Sequence, residues 1–255
     1  MRTLMLALSL VLILSLSGTA GASLLSDWFG VDLTTSGGVF DHDWTPSTAT
    51  ADYTIDDNWS AYHARPAHGG EAFDIEAMYF DNDATNAYIA VVTSFNVHGG
   101  MSFLGEHIAA GDLAMDMGLG SHTLGVDIDG SSGRLAETTM GDWYQSNTSF
   151  IAEPGPTNFS GGTTIGYAAL DHYDYGLTER GYGTYVFELT IDRSLLTNPA
   201  FTDQVGLEWT MGCRNDVIQL NADFDDDTVV PEPSTLLLLG SGLLGMAGVV
   251  RRRRK

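Results

Sequence analysis

Hydrophobic residues recur at every second position in several segments of this chain. Tyr185 to Ile191 follows this pattern, and Val205 to Met211 repeats it. Such spacing is typical of a β-strand with one face in a core and the other toward water. Ala87 to Phe95 is apolar on both faces, which predicts a central strand that is covered on each side.

Turn residues, mainly Gly, Asn, Asp and Pro, separate the remaining hydrophobic segments from one another. Only Asp192 to Asn198 has the pattern of a short helical turn, ended by Pro199. Many short strands without a long amphipathic helix predict an all-β fold, an antiparallel β-sandwich of jelly-roll type, with a closed barrel as the alternative. Further strands are predicted at 72–80, 112–116, 122–129, 143–151, 163–170 and 216–221.

The two ends of the chain differ from this pattern. Met1 and Arg2 precede an apolar run from Leu4 to Leu16 and then small residues up to Ala22, which predicts a secretory signal peptide cleaved after Ala22. A retained membrane anchor is the alternative, although the run is shorter than the ~20 residues that a span needs. The predicted organisation is a signal peptide at 1–22, one domain at 23–230 and a C-terminal segment at 231–255. Residues 34–52, rich in Gly, Ser and Thr, are expected to form a loosely ordered approach to the domain.

The predicted domain is strongly acidic. The chain has 11 basic and 33 acidic residues, of which Arg2, residues 251–255 and Glu232 lie outside 23–230. The domain therefore holds five arginines, no lysine and a net charge of −27. This field repels phosphate backbones, so nucleic acid is not expected as a partner. It attracts cations, or it serves only to keep an exported protein soluble.

The C-terminal segment combines a short motif, an apolar run and a basic cluster. Leu236 to Val250 spans about 22 Å as a helix, which is short of a hydrocarbon core of roughly 30 Å. By the positive-inside rule, the basic end stays in the cytoplasm. The run is therefore expected to anchor the chain transiently in the inner membrane. The motif and the cluster are Pro231, Glu232, Pro233 and Arg251, Arg252, Arg253, Arg254.

This arrangement resembles the PEP-CTERM sorting signal of Gram-negative bacteria. The resemblance implies a hydrophobic sorting helix and processing by exosortase, a membrane protease-transpeptidase. It also implies delivery to the cell surface or extracellular matrix of cells that make extracellular polysaccharide or biofilm.

A second resemblance covers part of the predicted domain. Residues 59–92 read WSAYHARPAHGGEAFDIEAMYFDNDATNAYIAVV, and two later strands contain YVFELTIDRSLL and VGLEWTMGCRNDVIQLNADF. These segments resemble the family-nine carbohydrate-binding module and its DOMON-like relatives. The resemblance implies a β-sandwich that binds a sugar or small ligand, often with structural calcium.

Carboxylates cluster around the predicted hairpin at 72–95. Asp81, Asp83 and Asn86 surround a tight turn and offer oxygen ligands of the kind that Ca²⁺ prefers, or simply favour the turn. With Phe73, Ile75, Ala77 and Tyr79 as the expected core face, two further carboxylates share the other face of the strand, Asp74 and Glu76. They are a second candidate calcium ligand set, an acid/base pair or part of a solvated surface. The same three interpretations apply to Asp127, Asp129 and residues 223–227.

Aromatic residues beside predicted loops are candidate platforms for sugar rings. Rings at the edge of the core are the alternative. The candidates are Trp59, Tyr62, Trp143, Tyr144, Tyr173, Tyr175 and Tyr182.

Recognisable catalytic motifs are not found in the sequence. The histidines, His42, His63, His68, His98, His107, His122 and His172, lack zinc-site spacing. Neither a nucleophile elbow nor a P-loop occurs in the domain. Cys213 has no second cysteine to pair with and is expected to be a buried, unreactive thiol.

Three functional hypotheses remain. The first is a non-enzymatic exported protein that binds or organises extracellular polysaccharide, with calcium as a possible ion. The second is a surface glycan hydrolase or lyase that uses Asp74 and Glu76. The third is a purely structural matrix protein.

Overall fold

The computed structural model describes residues 23–31, 33, 44–56, 71–120, 122–130, 132–146, 155–177 and 182–225. The signal peptide and the C-terminal segment with its sorting helix therefore lie outside the described residues, as do Trp59 and Tyr62. The helical elements are α1 (Leu24–Asp27) and the 3-10 helices Glu71–Phe73 and Arg193–Leu196. The strands are β1 (Asp52–Ile55), β2 (Ile75–Asn82), β3 (Asn86–Thr93), β4 (Met101–Phe103), β5 (Glu106–Ile108), β6 (Leu113–Asp116), β7 (Leu124–Val126), β8 (Arg134–Glu137), β9 (Trp143–Tyr144), β10 (Asn158–Phe159), β11 (Thr163–Tyr167), β12 (Ala169–Leu177), β13 (Gly183–Asp192), β14 (Gln204–Thr210) and β15 (Val217–Asp223).

Two antiparallel sheets form the architecture. The five-stranded sheet has the order β1-β2-β3-β13-β12, and the six-stranded sheet has the order β11-β8-β7-β6-β14-β15. The strands β4 and β5 form a separate hairpin, and β9 pairs with β10. The predicted all-β antiparallel sandwich is thus confirmed, and the two separate sheets replace the closed barrel that was the alternative.

The main core lies between the two sheets. It contains Phe80, Ile89 and Phe187 from the five-stranded sheet and Met115 and Trp209 from the six-stranded sheet, each no more than 1% exposed. The rings of Phe187 and Trp209 meet at 5.1 Å, so aromatic packing joins the sheets directly. Phe187 and Trp209 face inward because apolar residues alternate along β13 and β14, as the sequence predicts.

A second apolar cluster covers the outer face of the five-stranded sheet. Residues of β2, β3 and β13, among them Tyr79, Val92 and Val186, pack there against the N-terminal segment, residues 23–33 with Trp44. This cover explains why β3 is apolar on both faces. The N-terminal segment contributes Leu25, Phe29, Val31, Leu33 and Trp44 to the cluster.

A bulge in β2 overturns the predicted face of that strand. Ile75 lies opposite Thr93 and Ala77 lies opposite Val92, so Glu76 is an extra residue in the ladder. Phe73 and Ile75 consequently join the main core with Met78 and Phe80, whereas Ala77 and Tyr79 belong to the outer cluster. The prediction that Phe73, Ile75, Ala77 and Tyr79 share one core face is wrong because the extra residue inverts the alternation.

The end of β15 is fastened to the first sheet. Asn82 donates from Nδ2 to the Asp225 carbonyl at 3.3 Å and accepts the Asp225 N–H at Oδ1 at 3.0 Å. Asp223 also donates its N–H to Asp52 Oδ2 at 3.0 Å. These contacts close the edge of the sandwich where the described part of the chain ends.

The helical elements are short. The predicted turn after Asp192 is the 3-10 helix Arg193–Leu196, whose start is capped by the Asp192 side chain, which accepts the Ser194 N–H at 2.8 Å. Among the residues that the structure describes, no helix has the length and hydrophobicity required to cross a membrane.

Candidate functional site

The turn between β2 and β3 uses its acidic side chains within the fold. Oδ1 of Asp83 accepts the N–H groups of Thr85 and Asn86 at 2.7 and 2.8 Å, and Oδ2 accepts the hydroxyl of Tyr88 at 2.7 Å. Burial raises the pKa of Asp83, but these hydrogen bonds outweigh it and hold the pKa below its usual value. Burial and the neighbouring Asp83 together raise the pKa of Tyr88 to about 12. This is the geometry of an Asx-type turn.

Asp81 joins β2 to the N-terminal segment. Its side chain is 4% exposed, and Oδ2 accepts the indole N–H of Trp28 at 3.0 Å and the hydroxyl of Thr50 at 2.9 Å. Oδ1 accepts the N–H of Asn82 at 2.8 Å. Oδ2 therefore joins the segment to the sheet through Trp28, and both oxygens are occupied within the fold.

Asp74 and Glu76 are buried at the β2 bulge, where Glu76 is the extra residue and Asp74 lies two positions before it. Asp74 is 1% exposed and Glu76 is 7% exposed, so their interpretation as a solvated face is wrong. The carbonyl oxygen of Asp74 accepts the hydroxyl of Thr93 at 2.6 Å, and Oε1 of Glu76 accepts the hydroxyl of Ser94 at 3.2 Å. The Asp74 backbone and the Glu76 carboxylate thus lie against the end of β3 and the residue after it.

The structure separates the candidate aromatic residues. Trp143 is a core residue rather than a loop residue: it is 8% exposed, its ring lies 5.1 Å from that of Phe159, and its indole N–H reaches Thr138 Oγ1 at 3.0 Å. Its neighbour on β9, Tyr144, is 47% exposed. Side chains alternate along a strand, so one of the pair faces inward and the other outward.

Tyr173 and Tyr175 lie on the edge strand β12, with their ring centroids 6.2 Å apart. Burial, together with the nearby carboxylate of Glu188, raises the pKa of Tyr173 to about 12. The hydroxyl of Tyr175 lies 3.2 Å from that of Ser23. Both tyrosines belong to the outer face that the N-terminal segment covers.

An open cleft of about 440 Å³ lies where β12 meets the loop that follows β3. Its size is within the range of small-ligand sites. The cleft presents two aromatic rings, two imidazoles and two carboxylates. Its polar and aromatic lining consists of Asn96, His98, Asp171, His172, Tyr173, Asp174 and Tyr185.

Two histidines meet in this cleft. The rings of His98 and His172 are 5.5 Å apart, and Nε2 of His172 is buried without a hydrogen-bond partner among the described residues. Burial, reinforced by the neighbouring His98, lowers the pKa of His172. His172 thus lines the cleft with a neutral imidazole whose Nε2 is buried.

The sequence gives no indication of this histidine pair. His98 follows β3 and His172 lies on β12, and only the pairing of both β3 and β12 with β13 brings them together. Tyr173 is the candidate from the sequence that does line the cleft.

Other reactive groups do not assemble into a centre. In the described ranges, no group of three or more His, Cys, Asp or Glu side chains is arranged to hold a metal ion. Cys213 is 3% exposed, which confirms the expected buried thiol, and burial raises the pKa of this thiol to about 11.

Comparison with known proteins identifies the C-terminal segment. Residues 229–254 match the PEP-CTERM protein-sorting motif. Neither the curated proteins nor the solved structures that were searched match the chain. The resemblance of the sandwich to family-nine carbohydrate-binding modules therefore stays a prediction.

The motif defines the class of protein. A chain with this signal is an exported protein of the cell surface or extracellular space, and exosortase is the enzyme that processes it. This chain carries the PEP-CTERM sorting motif, and its described residues form a two-sheet antiparallel sandwich.

Proposed function

We propose that this exported protein is a non-enzymatic binder of extracellular polysaccharide and that the cleft beside β12 holds the sugar. The observation that carries the proposal is the combination of rings and polar groups in one open cleft. Tyrosine rings stack on the apolar faces of pyranose rings, while Asn, Asp and His groups bond the hydroxyls around the ring. Before processing, the hydrophobic run 236–250 anchors the chain transiently in the inner membrane.

The charge of the domain restricts the kind of polysaccharide. Residues 23–230 carry a net charge of −27, and Asp171 and Asp174 line the cleft itself. Like charges across a binding site oppose association. A neutral glycan, or one that carries amino groups, fits this site better than a polyuronate.

The two carboxylates that the enzymatic alternative uses lie outside the cleft. Asp74 and Glu76 are buried at the β2 bulge, and neither lines the cleft. A glycosidase needs both carboxylates to flank the scissile bond of a bound sugar. Binding without turnover therefore accords better with their positions. Calcium binding by Asp81, Asp83 and Asn86 stays a prediction from the sequence.

Glycan binding by the purified exported protein tests the proposal. A glycan array and the exopolysaccharide of the producing cells serve as probes. Tyr173→Ala removes a ring from the cleft and is expected to weaken binding by roughly tenfold, about 1.4 kcal/mol. His98→Ala, a change at an exposed loop, is expected to weaken it as well.

Tyr167→Ala is the matched control, because Tyr167 is an exposed tyrosine on β11 in the opposite sheet. It is expected to bind as the unaltered protein does. Equal affinities for all three variants would contradict the cleft as the binding site. No binding to any glycan would favour the purely structural role, and release of shortened oligosaccharides would favour the hydrolase or lyase.

A further inference from the structure

Glu188 is a buried carboxylate that contacts the first residues of the described chain. It lies in the middle of β13, between β3 and β12, and is 2% exposed beneath the N-terminal segment. Its Oε1 accepts the hydroxyl of Ser23 and the N–H of Leu25, the latter at 2.8 Å, and Oε2 accepts the N–H of Leu24 at 2.8 Å. Glu188 thereby binds the first three described residues.

The hydrogen-bond donors to Glu188 among the described residues, which include the Tyr173 hydroxyl, are neutral. Burial raises the pKa of this carboxyl group, against the hydrogen bonds from Ser23, Leu25 and Leu24, and the negative charge of Asp171 raises it further. A buried carboxylate is costly unless an opposite charge accompanies it. Within the described ranges, the site therefore has the hydrogen bonds of an anion site without a cationic donor.

Ser23 is also the first residue after the predicted signal-peptide cleavage, and the inference rests on that prediction. Hydrolysis of the Ala22–Ser23 bond consumes one water: the C–N bond breaks, Ala22 gains a carboxylate, and the Ser23 nitrogen leaves as an amine that takes up the protons. With a usual pKa of about 7.7–8.0, this amine is an ammonium group at neutral pH.

The new charge forms next to Glu188. The Ser23 nitrogen is three bonds from its own Oγ, so the two atoms are less than about 4 Å apart. Since Oγ donates to Oε1, the ammonium lies within roughly 6 Å of the carboxylate, a range in which opposite charges stabilise each other. The carboxylate of this pair is 2% exposed, which limits screening by water on its side.

We propose that Glu188 is the docking site for the N-terminus that signal-peptide cleavage creates at Ser23. Removal of the signal peptide then supplies the missing cation and locks the N-terminal segment over the outer face of the five-stranded sheet. The precursor, with a neutral amide at the same position, lacks this pair. Export and stabilisation of the sandwich are thereby coupled through one carboxylate.

The first experiment determines the N-terminus of the exported protein by intact mass and N-terminal sequencing. Ser23 is the expected first residue. A different first residue would overturn the proposal, because the new ammonium group would then not belong to Ser23, whose hydroxyl donates to Glu188.

The second experiment compares the chain Ser23–Lys255 with the chain that begins at Ala22, both in mild detergent at pH 6.5. The chain that begins at Ser23 is expected to melt several degrees higher. In the Glu188→Gln background this difference is expected to disappear. Glu208→Gln is the matched control, since Glu208 pairs with Arg214 at 3.0 Å on the other sheet and should leave the difference intact. A difference that is absent in the unaltered chain, or that persists in Glu188→Gln, would overturn the proposal.

The pH dependence provides a test if Glu188→Gln does not fold. The titratable groups facing Glu188 are the Ser23 amine and, from β12, Asp171, Tyr173 and Tyr175. Pairing raises the pKa of the amine, so its stabilising effect is complete below pH 7 and is lost as the pH rises through the raised value. Tyr173 stays neutral over this range because its pKa is about 12. The melting difference between the two chains is expected to vanish above about pH 10; a difference that is unchanged there would overturn the proposal.

Discussion

Asp83, Asp142 and Asp192 each accept hydrogen bonds from groups within three residues of themselves. The N–H and hydroxyl groups of Thr139 lower the pKa of Asp142, and the hydroxyl and N–H groups of Ser194 lower that of Asp192. Stabilisation of this kind is present above about pH 4 and is lost as the pH falls through the lowered values. Part of the acidity of this protein therefore shapes its turns.

Asp83 offers a direct test of that role. Asp83→Ala removes the acceptor for Thr85, Asn86 and Tyr88 and is expected to lower stability by about 1–2 kcal/mol, a melting shift of a few degrees. The decrease should be equal in EDTA and in millimolar calcium. Asp83→Asn keeps an acceptor oxygen and is expected to lose less. A decrease seen only with calcium would instead support the metal interpretation.

The pKa of Asp112 is raised rather than lowered. It is 5% exposed, and its oxygens accept the N–H groups of Ile128 at 2.9 Å and Phe159 at 3.0 Å. Burial, the largest influence, raises its pKa to about 7, and the charge of Asp127 adds to the effect. The folded chain thus retains a proton that the unfolded chain loses near pH 4.

As the pH rises from about 4 to about 7, the free energy of unfolding is therefore expected to fall. The loss amounts to a few kcal/mol, at roughly 1.4 kcal/mol per pKa unit. Asp112→Asn removes the titration, so denaturant unfolding at a series of pH values should show a flatter profile over this range. Asp192→Asn is the control, because its lowered pKa affects only more acidic conditions. An unchanged slope in Asp112→Asn would refute the assignment.

The strands differ in how well the sequence predicts them. β3 is predictable because it is apolar on both faces, each of which packs in a core. β13 and β14 are predictable because apolar residues occupy alternate positions. β1, β4, β5 and β8 have only three or four residues, too few to establish a period. The bulge at Glu76 has no signature in the sequence, and it decides where Asp74 and Glu76 lie.

The candidate site shows the same limit. Tyr173 is recognisable as an aromatic residue near a loop, whereas the pairing of His98 with His172 depends on strand order. The residues of a cleft built from β3, β12 and β13 are distant in the sequence. Their grouping follows from topology, which local patterns do not encode.

The N-terminal segment acts as a third layer on the five-stranded sheet, and Phe29 is central to it. Phe29 is 0% exposed, and its ring lies 5.4 Å from that of Tyr79. Phe29→Ala is expected to cost about 3–5 kcal/mol in the free energy of unfolding, measured with denaturant. Met140→Ala is the control, since Met140 is 55% exposed and its loss should change little. Similar small effects for both variants would show that the segment contributes little to stability.

The whole molecule carries a net charge of −22, and its predicted domain carries −27. Self-repulsion of this size opposes folding at low ionic strength. Raising NaCl from 10 to 150 mM shortens the Debye length from about 30 to about 8 Å, so the melting temperature is expected to rise. A constant or falling melting temperature would contradict this account.

Divalent ions extend the same measurement. Calcium and magnesium at equal ionic strength are expected to raise the melting temperature equally, because Asp81 and Asp83 already accept hydrogen bonds within the fold. A larger rise with calcium that disappears in Asp83→Asn would establish the calcium site predicted from the sequence.

The two hydrogen bonds between Asn82 and Asp225 hold the sandwich close to the sorting motif. The sorting motif match begins at residue 229, four residues after Asp225. Four residues of fully extended chain span about 14 Å. While these hydrogen bonds are intact, the start of the motif lies within about 14 Å of the negatively charged sandwich. Exosortase must therefore either accommodate a bulky acidic neighbour at its substrate entrance or act before β15 has joined its sheet.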